Sequence, residues 1–503
     1  MAMSHNHLEH LEPKEVFHYF AEIADIPRPS GNEKAISDYL IRFARQHHLE
    51  HYQDRLNNVI IIKEATAGYE AAPPVILQGH MDMVCEKEPD SPVDPEREGL
   101  DLFVEGDYLS ARGTTLGGDD GIAVAYALAI LASDTLKHPR IEFVCTVSEE
   151  TGMEGASGID VSMLRGRRMI NLDSETENEM MCGCAGGGRV VVNLPVQTEK
   201  LTGAGFRHMT VRVTGLTGGH SGTEINRGRA NAVVLLAEVL TALYEVFAPE
   251  DIRILSFGGG NKDNAIPREA YAEFLLKDEI ETGLQKELGK IEEKCREQYQ
   301  NADPSLTVIS EKKQEETPDH AQSEYVVFSS SSTANMLAMI LAIPNGVQAM
   351  SSDIPDLVET SLNLGIAKTA EEAGNEKMQL HYSLRSSVAE SFEKLAQKVI
   401  RTAEAYGAVT GRSGEYPAWE FRKDSELRDV MMPVYEEMFG KKPEVTVLHA
   451  GVECGLLAEK LPGLDAVSIG PDILDIHTTE ERLSVSSAER MYRYVLRVLE
   501  LMK

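Results

Sequence analysis

Basic residues are the scarce charge in this 503-residue chain: 49 Lys and Arg stand against 81 Asp and Glu, a formal net charge of −32 at pH 7. Nucleic acids and anionic membranes are gripped mainly by Lys and Arg, so neither is expected as a partner. Long apolar runs are also missing. The longest strongly apolar stretch, Ile122 to Ala132, falls short of the roughly 20 residues that cross a bilayer and reads as a buried helix. Met1 to Glu15 has no apolar segment of the signal-peptide kind, and His5, His7 and His10 read as a polar tail. Cysteine is sparse and scattered, at 85, 145, 182, 184, 295 and 454. That excludes a disulfide framework and suits free thiols in a reducing cytoplasm. Cys182 and Cys184 form C-x-C with no second pair, and read as structural.

What is present is an ordinary globular composition, 42% hydrophobic and 26% charged. The length argues for two domains. Pro13 to Phe43 has helical spacing broken by Pro27-Arg28-Pro29-Ser30-Gly31. Val59–Ile62, Val75–Leu77, Ile141–Val147 and Met169–Leu172 read as buried strands, with a helix at 122–132 between the second and third. Continuous apolar strands separated by helices predict an α/β fold, a mostly parallel sheet flanked by helices. From about Gly188 the pattern turns to β-rich alternation with long helices at 230–246, 279–300 and 390–405, as in an inserted α+β domain. After Tyr416-Pro417 the α/β pattern returns, with helices at 427–438 and 451–460 and strands at 444–448 and 465–469. The expected division is a discontinuous first domain, 1–187 and 415–503, with an insert at 188–414.

Five segments place His, Asp or Glu just after apolar strand-like runs. They contain His80 and Asp82; Asp119 and Asp120; Glu149 and Glu150; Asp173; and His477. Sites in such sheets form beyond the carboxyl ends of the strands. Taken singly, Asp-Asp-Gly reads as a helix cap, Glu-Glu as a solvated pair and His477 as a surface residue. Their recurrence at strand ends points instead to a centre for two divalent metals. Three ligand carboxylates, Asp119, Glu150 and Asp173, with one hydroxide balance two such ions. Asp119 is placed to bridge them, and Glu149 is left as general base. Asp82, two residues from His80 on a strand end, can orient its ring.

The order G-H-M-D-M-V, G-G-D-D-G-I, E-E-T-G-M-E-G-A, N-L-D-S-E, C-A-G-G-G, T-G-L-T-G-G-H-S-G, N-A-I-P-R-E, H-A-G-V-E-C-G and I-H-T-T-E-E-R-L resembles the aminoacyl-histidine dipeptidases, also called Xaa-His or cytosolic non-specific dipeptidases. The resemblance covers nearly the whole chain. It implies a zinc-exopeptidase-like catalytic domain with a lid and dimerisation insert. It also implies one metal on His80, Asp119 and Asp173, and another on Asp119, Glu150 and His477. The ions would be zinc, with cobalt or manganese possible. By the same resemblance Glu149 is the base, Asp82 orients His80, and His220 donates to the oxyanion in a partner subunit's site. Asn264, Arg385 and Gly451 match substrate-contacting positions, and a cis peptide is expected between Asp119 and Asp120. Thr479 departs from the family's proline two residues after the last ligand. The implied protein is a cytoplasmic homodimer that cleaves unblocked dipeptides, Xaa-His above all. Its rivals are an aminoacylase or tripeptide aminopeptidase with the same centre, and a catalytically dead dimeric scaffold.

Overall fold

Runs of β-branched and other apolar residues build the middle of an eight-stranded sheet. The computed structural model describes residue 8 and residues 10–313, 323–372 and 375–503. Its sheet runs in the order Glu50–Gln53, Val59–Lys63, Ile141–Thr146, Val75–His80, Arg168–Asn171, Asp465–Ser468, Glu179–Cys184, Glu444–Leu448. The parallel pairings are confined to the centre, where Val75–His80 lies between Ile141–Thr146 and Arg168–Asn171, and the latter pairs with Asp465–Ser468. Antiparallel pairs flank this core on both sides. The central strands are buried on both faces, which their unbroken apolar runs require. Helix Gly118–Ala132 packs on Val75–His80 and on helix Lys14–Ala24, with Ile122 to Leu131 all buried.

This sheet belongs to a compact unit comprising the chain up to Cys184, Phe421–Val447 and Val452–Lys503. A small four-stranded sheet within it was not expected from the sequence: Ile473–Leu474, Arg482–Ser484, Tyr108–Ala111 and Leu102–Glu105. Its hairpin from 473 to 484 carries His477. Contrary to the polar tail expected at the N-terminus, Leu8 and Leu11 are 3% and 6% exposed and belong to the core. The tail does not extend through them. His5 and His7 lie outside the described residues.

The second unit comprises Ala185–Glu420 and Leu448–Gly451. Its nine-stranded sheet is antiparallel throughout the described residues. Helices Ala232–Val246, Glu281–Tyr299, Ser330–Ala342 and Ala389–Ala405 accompany it. The segments before and after 300 share this one sheet, joined where Ile252–Gly259 meets Val358–Glu372. Leu448–Gly451 belong to the second unit although their neighbours on both sides belong to the first. Gly451 lies against the Tyr416 ring, so closely that an added Cβ would sit 2.4 Å from it. All six cysteines are free thiols. Among the described residues no helix is long and apolar enough to cross a membrane.

Candidate active site

Each central strand of the first unit hands on to a polar residue at its carboxyl end. His80 is the last residue of its strand, Glu149 and Glu150 follow Thr146 closely, and Asp173 comes two residues after Asn171. Asp119 opens the helix that returns across the sheet, and His477 arrives on the hairpin loop. The structure brings these six together. His80 Nε2 lies 3.1 Å from Asp119 Oδ1 and 3.4 Å from Asp173 Oδ1. His477 Nε2 lies 3.2 Å from Asp119 Oδ2 and 2.9 Å from Glu150 Oε1. The two oxygens of Asp119 thus face different histidines. Three groupings hold their ligand atoms within 4.8 Å of one another: His80, Asp119 and Asp173; Asp119, Glu150 and His477; and His80, Glu149 and Glu150. Asp82 Oδ1 is 3.3 Å from His80 Nδ1, and the Asp82 carboxylate accepts from the Ser30 hydroxyl and the Glu149 and Glu150 amides. The Asp119–Asp120 peptide is cis. The Asp120 carboxylate accepts from the His80 amide at 3.1 Å.

The electrostatics describe a site that demands positive charge. Burial opposes protonation of His80, but Asp173, Asp119 and Asp82 outweigh it and hold the ring well above its usual range. Hydrogen bonds to Asp119 and Glu150 carry His477 up to about 10. Burial would raise Asp119, yet His477 and His80 hold it below the usual carboxylate range. Burial pushes Asp173 up to about 6, with repulsion from Asp119 and Glu150 added against the pull of His80. Burial likewise drives Glu149 well above its ordinary value; His80 opposes this, while Asp173, Glu453 and Glu150 reinforce it. The donor set fits divalent cations. Two of the groupings, the one with Asp173 and the one with His477, each offer one imidazole nitrogen and two carboxylate oxygens within 4.8 Å of one another, the donor types that such ions take.

A second cluster lies within the other unit. Arg385 is buried, donates through Nη1 to the Tyr416 hydroxyl at 2.7 Å, and keeps its Nε without a partner. None of the ion pairs among the described residues involves it. Gly451 packs on the same tyrosine ring. An added Cβ at Gly222 would lie 3.0 Å from Arg385 Nε and 2.9 Å from His220 Cε1, so His220 is close by. His220 Nδ1 accepts from the Gly222 and Thr223 amides at 3.3 and 3.1 Å. Those bonds fix the tautomer, leaving the ring's hydrogen on Nε2. Burial first, then Arg385, lowers the pKa of His220 and keeps it neutral. Asn264 adjoins through its backbone, whose carbonyl accepts from the Ser221 amide, while its side chain is exposed. His449 was not singled out in the sequence. It is buried, 2.8 Å from the Ser361 hydroxyl, and held down to about 4 by burial, Arg385 and His220.

Residues 76–501 match peptidase family M20/M25/M40. The chain belongs to that family. It is 32% identical over 493 residues to the cytosol non-specific dipeptidase of Escherichia coli, with 98% of both chains covered. Its fold matches the crystal structure of aminoacylhistidine dipeptidase from Vibrio alginolyticus with a TM-score of 0.89, at 33% identity over 99% of this chain and 98% of that one. Aminopeptidase PepT from Bacillus cereus shares the fold, with a TM-score of 0.58 and 16% identity over 98% and 99% of the two chains.

In this M20 peptidase, buried charged residues that the sequence did not flag hold the loops bearing the candidate ligands. Arg28, from the Pro-Arg-Pro turn, donates to the carbonyls of Met81, Asp82 and Gly117. Gly117 has φ +65°, and a Cβ there would meet the Arg28 guanidinium at 2.5 Å, so the position requires glycine. Glu33 accepts from the Gly31 amide and from the Ser148 amide and hydroxyl. It thereby holds Ser148 at φ +52°, a strained value for a non-glycine residue, directly before Glu149. The Glu481 carboxylate accepts from four successive amides, Leu116 to Asp119, at 2.8 to 3.3 Å. It ties the loop of His477 to the loop of Asp119. In sequence such charges look like surface residues; Arg28 stands between two prolines and Glu481 within I-H-T-T-E-E-R-L, but neither setting tells of a buried charge.

Proposed function

We propose that this chain is a two-metal dipeptidase that hydrolyses unblocked dipeptides, with a preference for Xaa-His. The observation that carries the reading is the divided carboxylate of Asp119, one oxygen toward His80 and the other toward His477. His80, Asp119 and Asp173 would hold one divalent cation; Asp119, Glu150 and His477 would hold the other. Zinc is the first choice for these nitrogen and oxygen donors, with cobalt or manganese as alternatives. When bound, such ions polarise a carbonyl and lower the pKa of water to about 7.

The protein's own groups then divide the work. Glu149, whose carboxylate lies within 4.8 Å of the His80 and Glu150 ligand atoms, takes the proton from the attacking water and delivers it to the leaving amine. Asp82 orients the His80 ring. Arg385 pairs the substrate carboxylate, which measures the length of an exopeptidase substrate. Asn264 and Gly451 complete the substrate contacts. His220, a neutral Nε2–H donor, stabilises the oxyanion across a homodimer. Residues 1–187 and 415–503 serve as the catalytic domain and 188–414 as the lid and dimerisation domain of a cytoplasmic enzyme.

The deciding experiment strips the enzyme with chelator, reloads it with single metals, and assays a dipeptide library beside a tripeptide and an N-acetyl amino acid. Turnover confined to free dipeptides, and highest on Xaa-His, is the expected outcome. Faster tripeptide or N-acetyl amino acid turnover would assign the centre to an aminopeptidase or an aminoacylase. Absence of turnover with every metal would leave a scaffold.

A further inference from the structure

Glu453 is the first residue of helix Glu453–Lys460 and is 1% exposed. Its Oε2 accepts from Gln78 Nε2 at 2.6 Å and from the Thr146 hydroxyl at 2.5 Å. Gln78 Oε1 in turn accepts from Asn171 Nδ2 at 2.5 Å. Glu453 Oε1 is buried without a partner. These contacts stitch three neighbouring strands side chain to side chain. In register, Gln78 sits opposite Asn171, and His80 opposite Thr146. Each linked residue comes shortly before a candidate ligand: Gln78 before His80, Thr146 before Glu149 and Glu150, and Asn171 before Asp173. Burying a carboxylate where an apolar side chain of similar volume would pack costs stability. The chain of polar contacts therefore serves something other than the core.

We propose that Glu453 is a positioning residue for the metal centre: by gathering Gln78 and Thr146, and Asn171 through Gln78, it fixes the relative placement of the three strand ends that carry His80, Glu149–Glu150 and Asp173. The inference rests on the two-metal reading above. The partners behind metal ligands typically contribute ~10–100-fold to metal affinity, and Glu453 acts one step further back, through the strands.

The test titrates metal-free protein with Zn2+ against a chromogenic chelator, and follows thermal unfolding of the same samples without metal. Glu453→Leu is expected to weaken binding at least ~10-fold while the metal-free melting temperature holds or rises. Glu453→Gln keeps an acceptor oxygen for Gln78 and Thr146 and should bind close to the unaltered chain. Gln78→Met should weaken binding as Glu453→Leu does. The double variant should be no worse than either single one, since one connected chain is broken in each case. Unaltered affinity in Glu453→Leu, or additive losses in the double variant, overturns the proposal. If Glu453→Leu does not fold, Gln78→Met decides alone, and unaltered affinity there overturns it. Failure of the unaltered chain to bind two ions would overturn the two-metal reading as well, so the two failures are distinct.

Discussion

If Arg385 pairs the substrate carboxylate as proposed, replacing it with methionine should abolish the preference for a free carboxylate without weakening the fold. Arg385 is 8% exposed, its Nη1 reaches only the neutral Tyr416 hydroxyl, and its Nε is buried with no partner. A guanidinium held that way has lost much of its hydration with no counter-charge in return, a deficit that a ligand carboxylate would offset. Hydrogen bonds to charged groups are worth about 1.5–3 kcal/mol, and each 1.4 kcal/mol is about tenfold. Loss of the pairing should therefore lower kcat/KM on a dipeptide by roughly 10- to 150-fold. The fall should lie in KM, because the contact is present in both the bound substrate and the transition state. The assay compares a dipeptide with its C-terminal amide. The unaltered enzyme should prefer the acid by about that same factor, and Arg385→Met should treat the two alike. Methionine fills the space and removes the uncompensated charge, so the substrate-free variant should melt at or above the temperature of the unaltered protein. A variant that still prefers the acid by the full factor refutes the carboxylate assignment. A melting temperature several degrees lower refutes the reasoning about burial.

Glu149→Gln should keep both metals and lose ~10²–10⁴-fold in turnover; near-normal rates with full metal content would remove Glu149 from the mechanism. Mixing the His220→Ala and Glu149→Gln proteins under conditions of subunit exchange should restore activity, because one site in each mixed dimer is then intact. Heterodimers seen by mass analysis without recovered activity would end the trans assignment. The metal-free protein should lose stability as pH rises. His477 is raised from its ordinary value to about 10, so its contribution is fully present below about pH 6.5 and disappears on the way to 10. Because His477 is half exposed, the slope should be shallow, and divalent ions should add most stability at the upper end of that window. A metal-free melting temperature that climbs between pH 7 and 10 would contradict this.

The parts of this protein that could be read from sequence share a physical cause, and so do the parts that could not. Strands at 59–63, 75–80, 141–146 and 168–171 announce themselves because a sheet buried on both faces needs unbroken apolar runs, and a polar residue at the end of such a run stands out. That contrast led to His80, Glu149, Glu150 and Asp173, and the glycines before Asp119 marked a sharp return into a helix. The strands at 102–105, 108–111 and 482–484 have three or four residues each and too few apolar positions to show a period. Arg28, Glu33 and Glu481 escaped for a different reason. Apart from the Ser148 hydroxyl on Glu33, their partners described above are backbone groups, and every residue has those, so little of the pairing is written in side-chain identities. Glu481 accepts from amides more than 360 positions away in sequence. Glu453 has side-chain partners, but they too lie more than 300 positions off, and although it stands in the H-A-G-V-E-C-G motif, nothing there shows that its carboxylate is buried. A strand's burial is written along its own length, whereas the burial of a charge is decided by whatever the fold brings to it. Sites of this kind are therefore half legible: the candidate ligands appear at strand ends, and the residues that hold them still do not.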